Sequence, residues 1–153
     1  MAFALGVRAE PTAFHWAVAT GTLQKPVLHA SGTETAPKAY TEAESLAWIR
    51  QRVLYILDTY KPEKVAVRYP EGIARTNANS ARARCRVEGV VLEAAGSRNL
   101  ETVTGPRSTF SKQFGKFSPE DLASDDLRGI HLSNFKPWLQ EAIFVAASLL
   151  PSG

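Results

Sequence analysis

The residues whose types most clearly suggest ligand binding form a basic segment in the middle of the chain. Guanidinium groups make paired, charge-assisted hydrogen bonds to phosphate oxygens, and asparagine amides add neutral donors. Glu71 is the only acidic residue in this segment, which holds five arginines: Arg68, Arg75, Arg82, Arg84 and Arg86. Asn77 and Asn79 lie between the second and third of them. The segment is therefore either a solvated helix face or a surface for an anionic partner.

Other reactive side chains show no catalytic or metal-binding spacing. His15, His29 and His131 are far apart, and we expect surface histidines or a pair between His15 and His29 across neighbouring strands. Cys85 lies among the arginines, where positive charge lowers a thiol pKa, but it has no evident base, so we expect a structural or incidental thiol. A single cysteine excludes an internal disulfide and a cysteine-based zinc site.

Composition favours one soluble domain. The chain has 153 residues, of which 44% are hydrophobic and 22% charged, and its formal net charge is +3. That length is sufficient for a substantial core, and no apolar run approaches the roughly 18 residues that span a bilayer. The N-terminus lacks a charged leader and already has the pattern of a strand, so we expect a cytoplasmic protein.

The first half of the chain predicts a three-stranded meander and a helix. Strands are expected over residues 3–8, 13–20 and 26–32, with short connections that favour antiparallel pairing. Thr41 and Glu44 form a capping box that opens a helix. Its apolar stripe contains Leu46, Ile49, Val53, Ile56, Leu57 and Tyr60. Lys61-Pro62 ends it.

The second half alternates strands and helices. Strands are expected over residues 64–68 and 100–104, separated by a helix over 79–95. Further helices are expected after Pro106, from Ser118 to Ser124 and from Pro137 to Leu150. The order β-β-β-α-β-α-β-α-α predicts an α/β fold with a mixed five-stranded sheet and helices on its faces.

This order resembles the ribonuclease H-like fold, and the local sequence resembles its RuvC branch of Holliday-junction resolvases. Residues 4–10 stand where the family has a strand ending in Gly-Ile-Asp-Pro-Gly, and residues 65–68 where its fourth strand ends in glutamate. Residues 80–95 resemble the next helix. Gly105-Pro106-Arg107 with Lys112, and the closing helix "PWLQEAIFVAASLL", complete a resemblance that spans nearly the whole chain.

The resemblance implies phosphodiester hydrolysis by two Mg²⁺ ions held by carboxylates. Its four catalytic positions fall on Arg8, Arg68, Trp138 and Glu141, so one carboxylate of four survives. Magnesium requires oxygen ligands, and a guanidinium repels it. We therefore expect a pseudo-nuclease without a metal or other cofactor.

The closing-helix glutamate suggests what replaces the metal. We expect Arg8 or Arg68 to form a structural ion pair with Glu141. The alternative is an active endonuclease that binds Mg or Mn through displaced carboxylates at Glu10, Glu71 and Glu141.

In the resembled resolvases, the segment after the fourth strand borders the DNA channel, so the resemblance implies nucleic-acid contact by Arg75, Asn77, Arg82, Arg86, Arg107 and Lys112. The sequence thus favours a catalytically degenerate RuvC-like domain that binds DNA or RNA, or an accessory subunit of a DNA-processing assembly. A further alternative is a protein–protein interaction module. Trp48 and Tyr55 on the first long helix are either additional core or an aromatic interface.

Overall fold

A computed structural model describes residues 2–70, 77–115 and 126–153. In these ranges, three consecutive strands are followed by helices that alternate with two further strands, in the predicted order. The strands are β1 (Phe3–Glu10), β2 (Ala13–Gly21), β3 (Pro26–Thr35), β4 (Lys64–Arg68) and β5 (Glu101–Gly105). The helices are α1 (Glu42–Tyr60), α2 (Ala78–Ser97), α3 (Arg107–Ser111) and α4 (Pro137–Ser148).

The five strands form one mixed sheet in the order β3-β2-β1-β4-β5. Strands β1, β2 and β3 pair antiparallel through their short turns, whereas β4 pairs parallel to β1 and β5 parallel to β4. The parallel pairs need crossovers, which α1 and α2 provide. The predicted α/β architecture is confirmed.

Capping side chains fix where the two long helices begin. Thr41 Oγ1 accepts a hydrogen bond from the Glu44 amide at 3.2 Å, and Glu44 Oε1 accepts one from the Thr41 amide at 2.8 Å, which confirms the capping box. Before α2, Asn77 Oδ1 accepts from the Asn79 amide at 2.8 Å. Each cap satisfies amides that a helix start leaves without partners.

Both faces of the sheet are covered in the described part of the chain. Successive side chains of a strand point to opposite faces, so Leu5 and Val7 pack with α1 and α2, whereas Ala4 packs with α4. The α4 face is built of small residues, including Ala17 and Ala66. Small side chains permit a helix to approach the sheet closely.

Gly6 sets how close α4 lies. A Cβ atom at this position would stand 2.2 Å from the Ala142 carbonyl oxygen and 2.6 Å from the Ala146 nitrogen, both backbone atoms. The close approach holds the first turns of α4 over Arg8, which lies two residues beyond Gly6 in β1.

Some sequence-based boundaries differ from the structure. Strand β3 extends to Thr35, and α2 continues through Gly96 to Ser97 rather than stopping before it. A short hairpin pairs Asp126–Leu127 with Ile130–His131, where the sequence indicated no regular structure. The helix predicted from Ser118 lies outside the described residues. None of the helices in the described ranges combines the length and apolar character needed to cross a membrane.

Candidate functional site

The site lies where β1 and β4 end. Arg68 is the last residue of β4, and its register partner Arg8 lies two residues before the end of the parallel strand β1. The two residues are only 6% and 5% exposed. Each arginine lies two residues after a small residue that faces α4, Gly6 or Ala66, and therefore points to the same face of the sheet. The two guanidinium groups are therefore buried beneath the start of α4.

Glu141 of α4 bonds to both arginines. Its Oε2 lies 2.8 Å from Arg8 Nε, and its Oε1 pairs with Arg68 Nη1. Arg8 Nη1 also donates to the Ala9 carbonyl at 2.8 Å. The prediction that Glu141 forms an ion pair with these arginines is confirmed, and it holds for both of them.

Trp138 precedes Glu141 by three residues, so the two side chains lie on one side of α4. The Arg8 guanidinium carbon is 4.5 Å from the centroid of the indole ring, within the range of a cation–π interaction. Although it has this contact, Trp138 remains 42% exposed. It covers the buried ion pair and faces solvent at the same time.

His15 stands opposite Arg8 in the β1–β2 pair and supports the same surface. Its Nε2 lies 2.5 Å from Glu10 Oε2 and its Nδ1 lies 2.8 Å from Thr33 Oγ1. Its ring is nearly parallel to that of Trp138, at an interplanar angle of 14° and 6.5 Å between centroids.

The expectations of a surface His15 or of a His15–His29 pair are wrong. His15 is 6% exposed, and His29 instead contacts the rings of Phe3 and Tyr60. The bulge in β2–β3 pairing and the hairpin register separate the histidines. The burial of His15 could have been predicted, because His15 shares one face of β2 with Ala17 and Ala19, whose small side chains indicate the α4 face.

Arg84 and Glu88 form a second, partly buried pair one turn apart on α2. Arg84 Nε and Glu88 Oε2 are 3.3 Å apart, and the two side chains are 12% and 13% exposed. Burial raises the pKa of the Glu88 carboxyl, while the positive charges of Arg84 and Arg8 oppose that shift. Arg84 is therefore paired within the protein, and little of its side chain is accessible to a ligand.

Several members of the predicted binding set have partners within the protein. Asn77 caps α2, and Arg86 Nη1 bonds to both carboxylate oxygens of Glu42, at 2.8 and 2.9 Å, which ties α2 to α1. Arg82 is exposed, and its Nη1 donates to Asn79 Oδ1 at 3.4 Å.

Two more members of that set lie further along the chain. Arg107 opens α3 and is partly buried, and Lys112 follows α3 and is exposed. The Tyr69 amide donates to the Gly105 carbonyl at 3.0 Å, so α3 starts beside the end of β4. Arg107 therefore begins α3 at the edge of the sheet where Arg68 lies, and Lys112 follows five residues later. Arg75 lies outside the described residues.

The residues at the strand ends do not fit a divalent metal. Glu141 is bonded to two guanidinium groups, and Glu10 to His15. Glu71, the third carboxylate of the displaced set, lies outside the described residues. Within residues 2–70, 77–115 and 126–153, no three His, Cys, Asp or Glu side chains are grouped so that they could hold a metal ion.

The remaining candidates are two aromatic residues of α1 and the cysteine of α2. Trp48 packs partly buried against the core, as expected for additional core, but Tyr55 is 58% exposed with the Arg52 guanidinium carbon 5.1 Å from its ring centroid. Cys85 is exposed on α2, 3.9 Å from Arg84 Nη2.

Solved structures with the same architecture are Holliday-junction resolvases. Thermus thermophilus RuvC in complex with Holliday junction substrate superposes with a TM-score of 0.78 and 18% identity, over 97% of this chain and 92% of that one. A second Thermus thermophilus RuvC structure has a TM-score of 0.75 and 21% identity, over 95% and 92% of the two chains. The yeast mitochondrial Holliday junction resolvase has a TM-score of 0.66 and 14% identity, over 94% and 77%.

No protein-family model and no curated protein sequence matches the chain. At these identities the structural agreement defines the fold alone. The chain has a RuvC-like form of the ribonuclease H-like fold.

Proposed function

We propose that this chain is a RuvC-like domain that binds nucleic acid without cleaving it by two-metal chemistry, alone or as an accessory subunit of a DNA-processing assembly. The observation that carries the proposal is the bonding of Arg8 and Arg68 to Glu141. These three residues occupy positions at which the family resemblance implies metal-binding carboxylates.

Charge opposes a metal at this place. Two unit charges about 4 Å apart interact by about 4 kcal/mol at an effective dielectric constant of about 20, and a dication doubles that repulsion for each arginine. Arginine remains protonated even when buried, so neither side chain can lose its charge to admit the metal. Glu141 has both oxygens bonded to arginine and offers little compensation.

Nucleic-acid contact is supported by cations along the same edge of the sheet. We assign phosphate contact first to Arg82 and Lys112, because both are exposed, whereas Asn77 caps α2 and Arg86 is paired with Glu42. Arg86 would have to exchange Glu42 for a phosphate. Thermus thermophilus RuvC, which shares this fold, has been solved with Holliday junction substrate, and a junction is therefore the first ligand to test.

The test is a salt titration of binding. Fluorescence anisotropy should detect wild-type protein on a labelled junction, duplex or single strand, with affinity that falls steeply as salt rises. Arg82→Ala combined with Lys112→Ala removes two phosphate contacts, and the log–log salt slope on duplex DNA should become less steep by about 2.

Arg50→Ala is the matched control, because Arg50 is an arginine on α1 that is paired with Glu93. It should change neither affinity nor slope. Unchanged binding by the double variant would overturn the assignment of Arg82 and Lys112 as phosphate contacts. Absence of binding to every nucleic acid would overturn the proposal and favour an interaction module that recognises an acidic protein.

A further inference from the structure

Trp138 is an exposed ring on a fixed support. It is 42% exposed, whereas Trp16, which packs in the core, is 7% exposed. The support consists of Arg8, 4.5 Å from the ring centroid, and of His15, whose ring is nearly parallel to the indole.

Both supporting side chains are held by partners of their own. Arg8 bonds to Glu141 and to the Ala9 carbonyl, and His15 bonds to Glu10 and Thr33. The indole orientation is therefore set before any ligand arrives. A ligand that stacks on such a ring loses little free energy to ordering the protein.

The charge around Trp138 favours an anionic ligand. Arg8, Arg68 and exposed Lys136, which lies two residues before Trp138, carry three positive charges, against the two carboxylates of Glu141 and Glu10. A flat apolar face beside net positive charge matches a nucleotide, which has a flat base and a negative phosphate. An apolar peptide would gain nothing from this charge.

We propose that Trp138 is a stacking platform for an unpaired base, so that the preferred ligand class is single-stranded nucleic acid or a junction with unstacked bases. This inference rests on the proposed nucleic-acid binding. Stacking needs an accessible base face, which a continuous duplex does not present, and it tolerates any base because every base has a π face.

The test compares two labelled oligonucleotides of equal length and charge, oligo(dT) and an abasic oligomer with the same phosphates. Wild-type protein should bind oligo(dT) about tenfold more tightly. Trp138→Leu keeps an apolar cover over Arg8 but removes the ring, so it should reduce oligo(dT) binding to the abasic level and leave abasic binding unchanged. Trp138→Phe should keep most of the preference.

Tyr55→Leu is the matched control, because it removes an exposed ring from α1, and it should keep the full preference. Equal wild-type affinity for the two oligomers, or a preference that persists in Trp138→Leu, would overturn the platform and leave nucleic-acid binding intact. Absence of binding to both oligomers would overturn the platform, whereas the proposed function falls only if junction and duplex DNA also fail to bind. The comparison of the two oligomers on wild-type protein tests base stacking without depending on how well any variant folds.

Discussion

Arg8 lies directly beside Arg68 in the register of parallel strands β1 and β4, and both guanidinium groups bond to the carboxylate of Glu141. Two like charges at neighbouring strand ends repel each other unless an anion lies between them. Glu141 supplies that anion from α4. The ion pair therefore joins two strands of the sheet to the helix that covers them.

Removal of Glu141 should destabilise the protein strongly. Glu141→Ala leaves two buried guanidinium groups without their carboxylate, and the loss of one partner from a buried pair costs about 3 kcal/mol at the lower end of its range. The lower end applies because Glu141 itself is 29% exposed. Urea unfolding measures the loss.

Glu101→Ala is the control for this prediction, because Glu101 forms an exposed pair with Lys64 at 3.4 Å and should matter little. Glu141→Gln keeps one acceptor and should fall between wild type and Glu141→Ala. Equal stability of Glu141→Ala and Glu101→Ala would show that the ion pair does not hold the helix to the sheet.

Restoring carboxylates should create a metal site. Arg8→Asp, Arg68→Glu and Trp138→Asp, made together, place four carboxylates at the strand ends with Glu141. Without metal their mutual repulsion should lower the melting temperature, and Mn²⁺ should raise it again because a ligand that binds only the folded state stabilises it. Thermal melting with and without Mn²⁺ measures both effects.

The same triple variant with Glu141→Ala added provides the control, and its response to Mn²⁺ should be weaker. Wild-type protein should show no response. A triple variant that folds but melts at the same temperature with and without Mn²⁺ would place the family's metal positions elsewhere in this chain.

The approach of α4 to Gly6 predicts a large difference between two glycine substitutions. Gly6→Ala places a Cβ atom against backbone atoms that cannot rotate away, so it should cost at least about 3 kcal/mol, the upper end for overpacking, or prevent folding. Gly89→Ala in the interior of α2 meets no atom within 4 Å and should stabilise by about 0.5–1 kcal/mol. Urea unfolding of the two variants compares them, and equal effects would contradict the close packing.

Glu88 should make stability depend on pH in a defined direction. Burial raises the pKa of its carboxyl above the ordinary 4.5, so between these values the folded protein keeps a proton that the unfolded chain has released. The contribution of Glu88 to the free energy of unfolding therefore falls as pH rises through this window.

Glu88→Gln lacks this titration and retains a polar side chain of similar size. The free energy of unfolding of wild type minus that of Glu88→Gln should be more positive at pH 4 than at pH 7. Urea unfolding at the two pH values measures it. A difference that grows with pH would show that the charges of Arg84 and Arg8 outweigh burial.

Local sequence signals were sufficient for most of the fold. The capping box at Thr41 and Glu44 fixed a helix start through atoms three residues apart, and short connections predicted the antiparallel pairing of the first three strands. The pairing of Glu141 with Arg8 and Arg68 was predicted from the family resemblance, which places all three at catalytic positions.

The parts that were missed depend on register and packing. Glu10, His15 and Thr33 meet only because of the exact alignment of three antiparallel strands, which spacing along the chain does not give. The pair formed by Arg84 and Glu88 has ordinary spacing on a helix, and its burial follows from where α2 lies. The predicted phosphate contact of Arg86 did not take into account its pair with Glu42 across the α1–α2 contact.

The most direct test of the account is a calorimetric titration of wild-type protein with Mn²⁺, run beside a cleavage assay on a Holliday junction, a duplex and a single strand. Because Arg8 and Arg68 are bonded to Glu141, we expect no heat of metal binding and no metal-dependent cleavage. Binding of Mn²⁺ at micromolar concentration, with cleavage that is lost in Glu141→Ala, would contradict it and identify Glu141 as a metal ligand.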